Sequence, residues 1–380
     1  MSALPIPSAE QQAHSQQLRD LIAQKIVEAG GWISFAEFMH MALYTPRLGY
    51  YSGGAQKFGK GGDFVTAPEI SSVFAQTIAR QAAQILAVSD GYILELGAGT
   101  GKLAADLLLE LVELKQKPKQ YFILEVSDYL RQIQCETLQK LLPVDLFECV
   151  VWLDKLPRNF MGLIIANEVL DALPVHLIVK NNGELFERGV SFGGDFFWQD
   201  KFLDNSEMAQ KVHEYCLPEQ YLTEICPAVS GLMCSLVDAL QQGTILLIDY
   251  GFSASEYYHP QRDQGTLMCH FQHYAHGNPL INIGLQDITA HVNFSQIAET
   301  PHGVSLAGYV TQAQFLINCG ILDILAQHSP DSPQFMQLVA AAQKLLSPAE
   351  MGELFKVIAF TKNLDEPLIG FNSGDKSHTL

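Results

Sequence analysis

The hydrophobic residues of this chain occur in short runs that alternate with amphipathic stretches. Apolar runs of strand length lie at residues 92–96, 121–126, 148–153, 162–166, 244–249 and 355–360. Between several of them, apolar residues recur every three or four positions, a spacing typical of helices. The predicted helices are 102–115, 127–141 and 229–241. Strands that alternate with helices form a mostly parallel sheet covered on both faces, so we predict a doubly wound α/β fold.

Other segments depart from this alternation. The first forty residues predict helices, because Ser8 and Ser34 each precede a Gln or Glu by three positions, the spacing of a capping box. Residues 176–199 alternate apolar and polar side chains around Asn-Gly and Gly-Gly turns, which predicts a β-meander. Residues 253–347 carry largely helical patterns. We expect an N-terminal helical segment (1–60), a core (61–252 with 348–365) that contains the meander, and an insertion (253–347) that forms the substrate cleft.

Composition and charge limit the kinds of partner that we expect for this chain. Of its 380 residues, 48% are hydrophobic and 17% are charged, as is typical of globular proteins. The formal net charge of −18 repels phosphate backbones and anionic lipid, and no basic patch offsets it, so neither nucleic acid nor a membrane is an expected partner. A basic protein or a cationic side chain suits this field better. The sequence does not specify an oligomeric state.

The compartment follows from the cysteines and the N-terminal residues. The seven cysteines are scattered and form no C-x-x-C pair, which predicts reduced thiols. The N-terminal residues lack the basic start and apolar core of a secretory signal, and no apolar run reaches membrane-spanning length. We therefore expect a soluble cytoplasmic protein.

The first strand of the alternation runs into a glycine-rich turn, in the sequence YILELGAGTGKL (92–103). A strand, a glycine turn and a helix begin a nucleotide-binding βαβ unit. A P-loop for ATP or GTP needs two glycines separated by four residues and then Lys-Ser or Lys-Thr, which this turn lacks. The dinucleotide pattern G-x-G-x-x-G also fits poorly, because Gly97, Gly99 and Gly101 end one residue early.

Acidic residues at three strand ends favour another ligand. Glu95 precedes the turn, where a carboxylate repels a pyrophosphate and attracts the ammonium of an amino acid. Glu125 ends the second strand and suits the hydroxyls of a ribose. Leu153 and Asp154 end the third strand and suit an adenine ring and its amino group. S-adenosylmethionine has these three parts and no phosphate, so we predict it as the cofactor.

Taken with other stretches, these residues resemble the MidA-like S-adenosylmethionine-dependent methyltransferases, a family that includes the mitochondrial complex I assembly methyltransferase. The matching stretches cover nearly the whole chain: GGDFVTAPEISSVF (61–74), ILELGAGTGKL (93–103), ANEVLDALPVH (166–176), IDYGF (248–252) and GTLMCHFQHYAHGNPLINIGLQDITAHVNF (265–294). The resemblance implies a Rossmann-like class I methyltransferase sheet. It also implies a protein-arginine substrate, with a respiratory complex subunit as the kind of partner. The chain departs from the family pattern at Asn293, where an aspartate is usual, and at His270 and His273, where arginine is more common.

On this resemblance, the residues after the fourth strand are the candidate catalytic residues. Methyl transfer is an in-line displacement, so the enzyme mainly positions a nucleophile and lets its proton leave. Arginine is protonated at neutral pH, so a carboxylate must bind and polarise its guanidinium. We assign that role to Glu168, while Asn167 orients the substrate or closes the cofactor pocket and Asp171 lies one turn further on. An acid at a helix N-terminus is the structural alternative for Glu168.

The segment TAPEIS (66–71) is a candidate lid. The resemblance implies that it folds over the cofactor with Glu69 near the methionine end, and Gly61, Gly62 and Asp63 predict its hinge. The same residues also form an N-terminal helix signal, in which Thr66 caps the helix.

Two residues of the insertion are candidates for substrate binding. Asp287 could pair with a cationic group, and His291 could face the substrate as an acceptor or proton carrier. His270, His273 and His276 lack the tight helical pairs or thiolates that zinc requires, so no metal site is expected.

Two other functions remain open. An NAD-dependent oxidoreductase would bind a nicotinamide cofactor and tolerate loss of the Glu95 charge. A non-catalytic assembly factor that keeps the fold would bind a partner protein and keep working after Glu168→Ala. Binding of S-adenosylmethionine and methyl transfer separate these alternatives.

Overall fold

The computed structural model describes residues 4–53, 66–203, 207–299 and 303–380. The chain divides into two compact units, each assembled from separate stretches. Unit 1 comprises Met1–Phe64, Leu170–Ser230 and Ser253–Asn293, and unit 2 comprises Val65–Val169, Gly231–Phe252 and Phe294–Leu380. The predicted insertion begins at a unit boundary, residue 253, but its second part, residues 294–347, belongs to unit 2 together with the cofactor strands.

The elements of the described residues include every predicted strand and helix of the core. The helices are α1 Ala9–Glu28, α2 Phe35–Tyr44, α3 Ala67–Ile70, α4 Ser72–Val88, α5 Lys102–Glu113, α6 Asp128–Leu141, α7 Val144–Phe147, α8 Glu207–Glu214, α9 Pro227–Ala239, α10 Ala254–Tyr257, α11 Phe294–Glu299, α12 Gln312–Asn318, α13 Ile321–Ala326 and α14 Pro333–Leu346. The strands are β1 Ile33–Ser34, β2 Tyr92–Leu96, β3 Gln120–Leu124, β4 Val150–Leu153, β5 Phe160–Asn167, β6 His176–Asn181, β7 Glu184–Phe192, β8 Phe196–Phe202, β9 Tyr221–Ile225, β10 Leu240–Phe252, β11 Met268–Phe271, β12 Tyr274–His276, β13 Asp287–Thr289, β14 Val292–Asn293, β15 Ser305–Thr311 and β16 Phe355–Lys362. Two short 3-10 helices, Ile369–Phe371 and Ser377–Thr379, follow near the C-terminus.

The sheet of unit 2 confirms the predicted fold class. Its strands lie in the order β4-β3-β2-β5-β10-β16-β15. The pairs from β4 to β10 are parallel, and β16 runs antiparallel to both of its neighbours. The chain moves outward from β2 through β3 to β4 and then returns to the other side of β2 with β5. Ligands of α/β sheets bind at the carboxyl ends of the strands where the order reverses in this way.

Packing of the helices on this sheet fixes the start of α5. Phe74 and Ile78 of α4, Leu107 and Leu111 of α5, and Ile93 of β2 are fully buried in one apolar cluster. Burying each such side chain stabilises the fold by about 1.5–3 kcal/mol. The turn between β2 and α5 is thereby held between two elements that are anchored in the core.

Unit 1 contains the β-meander and the N-terminal helices. The predicted meander is β6, β7 and β8, within a sheet of order β1-β7-β6-β9 in which β8 also pairs with β7. The stretch 253–293 contains the short helix α10 and a second small sheet, β12-β11-β13, so the longer helices of the predicted insertion lie beyond residue 293. Ser8 and Gln11 form the predicted capping box of α1, and the Ser34 side chain accepts from the backbone N–H of Glu37.

Neither disulfides nor membrane-spanning helices occur in the part of the chain that the structure describes. The seven cysteines all lie in described residues and are not joined to one another. No described helix combines the length and apolar character that crossing a membrane requires.

Candidate functional site

The glycine turn follows β2 and leads directly into α5. Gly97, Gly99 and Gly101 have φ angles of 59°, 52° and 84°, the left-handed region that glycine adopts without a steric penalty. The Gly97 N–H donates to the carbonyl of Leu124 at 3.0 Å, which ties the turn to the end of β3. A Cβ atom placed on Gly99 would meet no atom of the described residues within 4 Å. The turn is therefore held rigidly and leaves space beside Gly99, as a bound cofactor requires.

The TAPEIS segment contacts this turn. Glu69, on α3, accepts a hydrogen bond through its Oε1 from the Thr100 hydroxyl at 2.5 Å. Thr66 precedes α3 but its side chain makes no capping bond, whereas Ser71 caps α4 by accepting from Val73 N–H. The structure thus places Glu69 beside the glycine turn, and its position near the methionine end of the cofactor stays a prediction. The predicted hinge, Gly61 to Asp63, lies outside the described residues.

Glu95 is buried in the strand that precedes the turn. Its Oε2 accepts a hydrogen bond from the Tyr121 hydroxyl at 2.7 Å. Burial raises the pKa of Glu95 from 4.5 to about 7, the Tyr121 bond opposes this rise, and the charge of Glu125 adds to it. The carboxyl is therefore close to half-ionised at neutral pH, and a cationic ligand would favour its ionised form.

This raised pKa predicts a specific dependence of stability on pH. Between pH 4.5 and about 7 the native protein holds the Glu95 proton more tightly than the unfolded chain does, so the free energy of unfolding should fall as the pH rises through this window. The full difference is roughly 3 kcal/mol. We expect Glu95→Gln to be more stable than the parent protein at pH 8 and to lose this part of the pH dependence. It should also bind S-adenosylmethionine more weakly.

Urea unfolding of the cofactor-free protein from pH 5 to pH 8 measures the first effect, and calorimetric titration measures the second. The variant Glu113→Gln, which removes an exposed carboxylate at the end of α5, serves as the control. Parallel pH profiles for the parent protein and Glu95→Gln would contradict this account of the carboxyl.

Glu125 directly follows β3 and is a buried carboxylate whose two oxygens both accept hydrogen bonds. Oε1 accepts from the backbone N–H of Ser127 at 2.9 Å, and Oε2 accepts from the Gln134 amide at 2.9 Å. Burial raises the pKa of Glu125, and these two hydrogen bonds oppose the rise. Each carboxylate oxygen can accept a second hydrogen bond, so the group keeps acceptor capacity for ribose hydroxyls.

Arg131 joins the ends of β3 and β4. It donates to the carbonyl of Glu125 at 2.8 Å, to the carbonyl of Leu153 at 2.6 Å and to Asp154 Oδ1 at 2.8 Å. The Asp154 side chain is 91% exposed and forms an ion pair with this arginine. A contact between Asp154 and an adenine amino group stays a prediction, and the carboxylate that would make it also holds Arg131 in place.

Asn167 and Glu168 lie at the carboxyl end of β5, the neighbour of β2. Glu168 has a φ of 53°, which is unfavourable for a residue with a side chain, and its N–H donates to the carbonyl of Ile248 at 2.9 Å. Its Oε1 accepts from the Asn167 side-chain amide at 3.1 Å and, at 3.4 Å, from the N–H of Ala67. The Asn167 Oδ1 is buried, and the described residues provide no donor for it. An acceptor in this state suits an N–H of a cofactor or substrate.

The segment after β5 excludes one interpretation of Glu168. We considered that the residue could be an acid at a helix N-terminus, but residues 168–175 form bends and turns rather than a helix. The left-handed backbone of Glu168 instead directs the chain away from the sheet. Strained residues of this kind cluster at active sites, because a local energetic cost persists only where the surrounding structure enforces it.

Asp171 and Asp287 lie together in unit 1, near Tyr51. The Tyr51 hydroxyl donates to Asp287 Oδ1 at 2.9 Å, and its ring stacks on that of Tyr44 with centroids 5.6 Å apart. Burial raises the pKa of Tyr51 well above its ordinary value, and the charges of Asp287 and Asp171 contribute. The two acids, both buried, therefore share one tyrosine although more than one hundred residues separate them in the sequence. Their roles toward a substrate stay predictions.

His291 and Asn293 also belong to unit 1. The backbone N–H of His291 donates to Thr266 Oγ1 at 3.0 Å, and that hydroxyl donates to the buried Glu224 at 3.1 Å. Asn293, where the family pattern has an aspartate, donates to the Tyr258 hydroxyl at 3.2 Å. A neutral amide thus makes a hydrogen bond at this position, and the substrate role of His291 stays a prediction.

The histidines of the β11 to β13 region do not assemble with other ligands into a metal site. Among the residues that the structure describes, no group of three or more His, Cys, Asp or Glu side chains could hold a metal ion. Burial lowers the pKa of His276, which favours its neutral form.

Several residues of the site could not be identified from the sequence. In unit 2 they are polar groups that hold the predicted residues in place: Thr100 on Glu69, Tyr121 on Glu95, and Gln134 and Arg131 on Glu125. In unit 1, Thr266 holds the backbone of His291 and is itself bonded to Glu224. Gln134 and Arg131 lie within the predicted helix 127–141, whose polar residues give no sign of which strand they face. The one sequence signal for these two residues is that each lies next to the apolar face of the predicted helix.

Comparison with known proteins agrees with this cofactor site. A family model described as S-adenosyl-L-methionine-dependent methyltransferase matches residues 74–310. The chain is 28% identical to the Drosophila melanogaster mitochondrial protein arginine methyltransferase NDUFAF7 homolog, over 97% of this chain and 91% of that protein. It is also 28% identical to protein arginine methyltransferase NDUFAF7 of Mus musculus, over 93% of this chain and 86% of that protein.

A solved structure matches the complete fold. The crystal structure of a Burkholderia thailandensis protein bound to S-adenosyl-homocysteine is 48% identical to this chain, covers 100% of both chains and superposes with a TM-score of 0.97. A native crystal structure from the same organism gives 47% identity and a TM-score of 0.94. These matches confirm the resemblance stated from the sequence and decide against a nicotinamide-dependent oxidoreductase.

Proposed function

Because the chain belongs to the S-adenosyl-L-methionine-dependent methyltransferases, we propose that it methylates an arginine side chain of a protein substrate. The observation that carries the proposal is the Glu168 carboxylate at the carboxyl end of β5, held by a left-handed backbone beside the buried acceptor Asn167 Oδ1. The names of the relatives, which are protein arginine methyltransferases, support the choice of arginine.

Different residues of unit 2 would hold different parts of the cofactor. The open space beside Gly99, the carboxyl of Glu95 and the acceptor capacity of Glu125 suit the methionine and ribose parts of S-adenosyl-L-methionine. When bound, this cofactor supplies a methyl group activated by its sulfonium. Glu69, fixed by Thr100, would cover the methionine end.

The role of Glu168 follows from the chemistry of the guanidinium. A protonated guanidinium delocalises its charge and is a poor nucleophile, so a carboxylate must bind two of its N–H groups and localise the electron pair on the third nitrogen. Glu168 is half-buried and its Oε1 is oriented by the Asn167 amide, which leaves the carboxylate oriented before the substrate arrives. Asn167 Oδ1 would accept an N–H from the same group.

The proposal also includes the kind of protein that carries the target arginine. The resemblance to the complex I assembly methyltransferase suggests a respiratory complex subunit, and the net charge of −18 suits a basic surface around the target arginine. The cytoplasmic location stays a prediction.

Methyl labelling of protein extracts tests the proposal. Purified protein and S-adenosyl-L-methionine with a labelled methyl group are incubated with extract from cells that lack this gene, where the target arginine is unmodified, and the labelled proteins are hydrolysed to amino acids. We expect label in methylated arginine, and much less label in extract from unaltered cells. Label on lysine, histidine or a carboxylate would contradict the arginine assignment. Cofactor binding with no transfer to either extract would favour the non-catalytic assembly factor.

A further inference from the structure

Gln134 contacts all three strand ends of the cofactor site. It lies on α6 and is completely buried. Its amide nitrogen donates to the carbonyl of Gly99 at 3.1 Å and to Glu125 Oε2 at 2.9 Å, and its amide oxygen accepts from the Trp152 indole N–H at 2.9 Å. One side chain thus joins the turn after β2, the carboxylate after β3 and an aromatic ring of β4.

The chemistry of these partners fixes the orientation of the amide. An indole N–H can only donate, so the amide oxygen of Gln134 must face Trp152. The two amide hydrogens then necessarily point at the Gly99 carbonyl and at Glu125, which are both acceptors. The amide therefore has a single orientation that makes all three hydrogen bonds. Turning it by 180° would break them.

The packing around α6 leaves little freedom for this arrangement to shift. A Cβ atom on Gly101 would lie 3.2 Å from the Gln134 Cα, so the helix backbone passes directly against the turn. The other charged groups that act on Glu125 are Arg131, on the same helix, and Glu95, on β2. Gln134 adds an uncharged side-chain donor to the same carboxylate.

From this network we propose that Gln134 is a positioning residue for the cofactor, which orients Glu125 toward the ribose hydroxyls and couples it to the glycine turn and to the β4 edge. The Glu125 carboxylate accepts from the backbone N–H groups of Ser127 and Val126, and the Gln134 amide is the side-chain donor to its Oε2. Removing the amide takes this donor from Oε2 and loosens the orientation of the carboxylate. The variant should then lose binding affinity through the ribose contacts, while the contacts to the rest of the ligand stay intact.

A double-mutant cycle with two ligands tests this role. Affinities for S-adenosyl-homocysteine and for its 2′-deoxy analogue are measured by calorimetry for the parent protein, Gln134→Met, Glu125→Gln and the double variant. We expect Gln134→Met to weaken S-adenosyl-homocysteine about tenfold, the scale of one to two hydrogen bonds, and the 2′-deoxy analogue by much less. In the Glu125→Gln background the Gln134→Met change should have little further effect. Equal weakening of both ligands, or additive effects in the double variant, would overturn the proposal in favour of a purely structural role.

A second variant keeps the test valid if Gln134→Met folds poorly. In Gln134→Glu a protonated carboxyl can still accept from Trp152 and donate to Glu125 although it loses the bond to Gly99, whereas an ionised one repels Glu125. Its affinity for S-adenosyl-homocysteine, relative to the parent protein at the same pH, should be at least tenfold weaker at pH 8.5 than at pH 5.5. A ratio that stays constant across this range would show that Gln134 does not act through Glu125.

Discussion

Replacing Glu168 with glutamine should lower the rate of methyl transfer by about 10²- to 10³-fold and leave the affinity for S-adenosyl-L-methionine nearly unchanged. Glutamine has the same shape and the same left-handed backbone position, but it has no charge to bind and polarise a guanidinium. Its contacts with Asn167 and Ala67 are made through one oxygen, which an amide can retain. The expected loss is therefore in kcat and not in the dissociation constant of the cofactor. Initial rates with a labelled methyl group and calorimetric titration measure the two quantities.

The control for this experiment is Glu113→Gln, which removes an exposed carboxylate and should change neither quantity. A normal rate in Glu168→Gln would remove this carboxylate from the mechanism. Equal losses in rate and in cofactor affinity would instead mean that the residue mainly supports the cofactor site.

Replacing Gly99 with valine should weaken binding of S-adenosyl-L-methionine by more than about 100-fold, since every 1.4 kcal/mol of lost interaction is a factor of ten. The added side chain would occupy the space beside the turn, where a Cβ atom on Gly99 meets nothing within 4 Å among the residues that the structure describes. The φ of 52° adds a backbone penalty of about 1–3 kcal/mol for a residue with a side chain. Both ligand binding and stability should therefore fall, and a control must separate them.

Gly183, in the turn between β6 and β7, provides that control. Its φ is 79°, and in the described part of the chain no atom lies within 4 Å of a Cβ placed on it. Gly183→Val should therefore cost a comparable amount of unfolding free energy without affecting cofactor affinity. Thermal unfolding and calorimetry on both variants make the comparison. Similar affinities for Gly99→Val and the parent protein would place the cofactor elsewhere.

The periodicity of the sequence predicted the elements of the parallel sheet because each strand is nearly fully apolar. β2 occupies the predicted residues 92–96, and the helices at 102–113 and 128–141 begin within one residue of prediction. β10 runs from Leu240 to Phe252, well beyond the predicted 244–249. Its first residues pair with β5, and from Gly243 onward also with β16, which their local sequence does not indicate. Neighbouring strands decided the length of that element.

The sequence could not indicate which distant segments meet. Residues 305–311 alternate weakly between apolar and polar, yet they form β15 and complete the sheet of unit 2 by pairing with β16. Similarly, the sequence predicted Glu95 and Glu125 from their positions at strand ends, but their partners Tyr121 and Gln134 depend on how a strand and a helix pack beside them. The residues at strand ends can be predicted from the local sequence. The groups that bond to their side chains cannot, because those groups come from other elements of the fold.

The position of β16 has a consequence for synthesis of the protein. This strand comprises residues 355–362 and lies between β10 and β15, which both precede it in the chain. Ribosomes add about 5–20 residues per second, so the cofactor sheet stays incomplete until almost the whole chain has been translated. During that time residues 243–250 of β10 lack their β16 partner and present an edge on which other chains could pair. We therefore expect the incomplete chain to be most prone to aggregation before β16 is added, although the finished sheet has β10 in its interior.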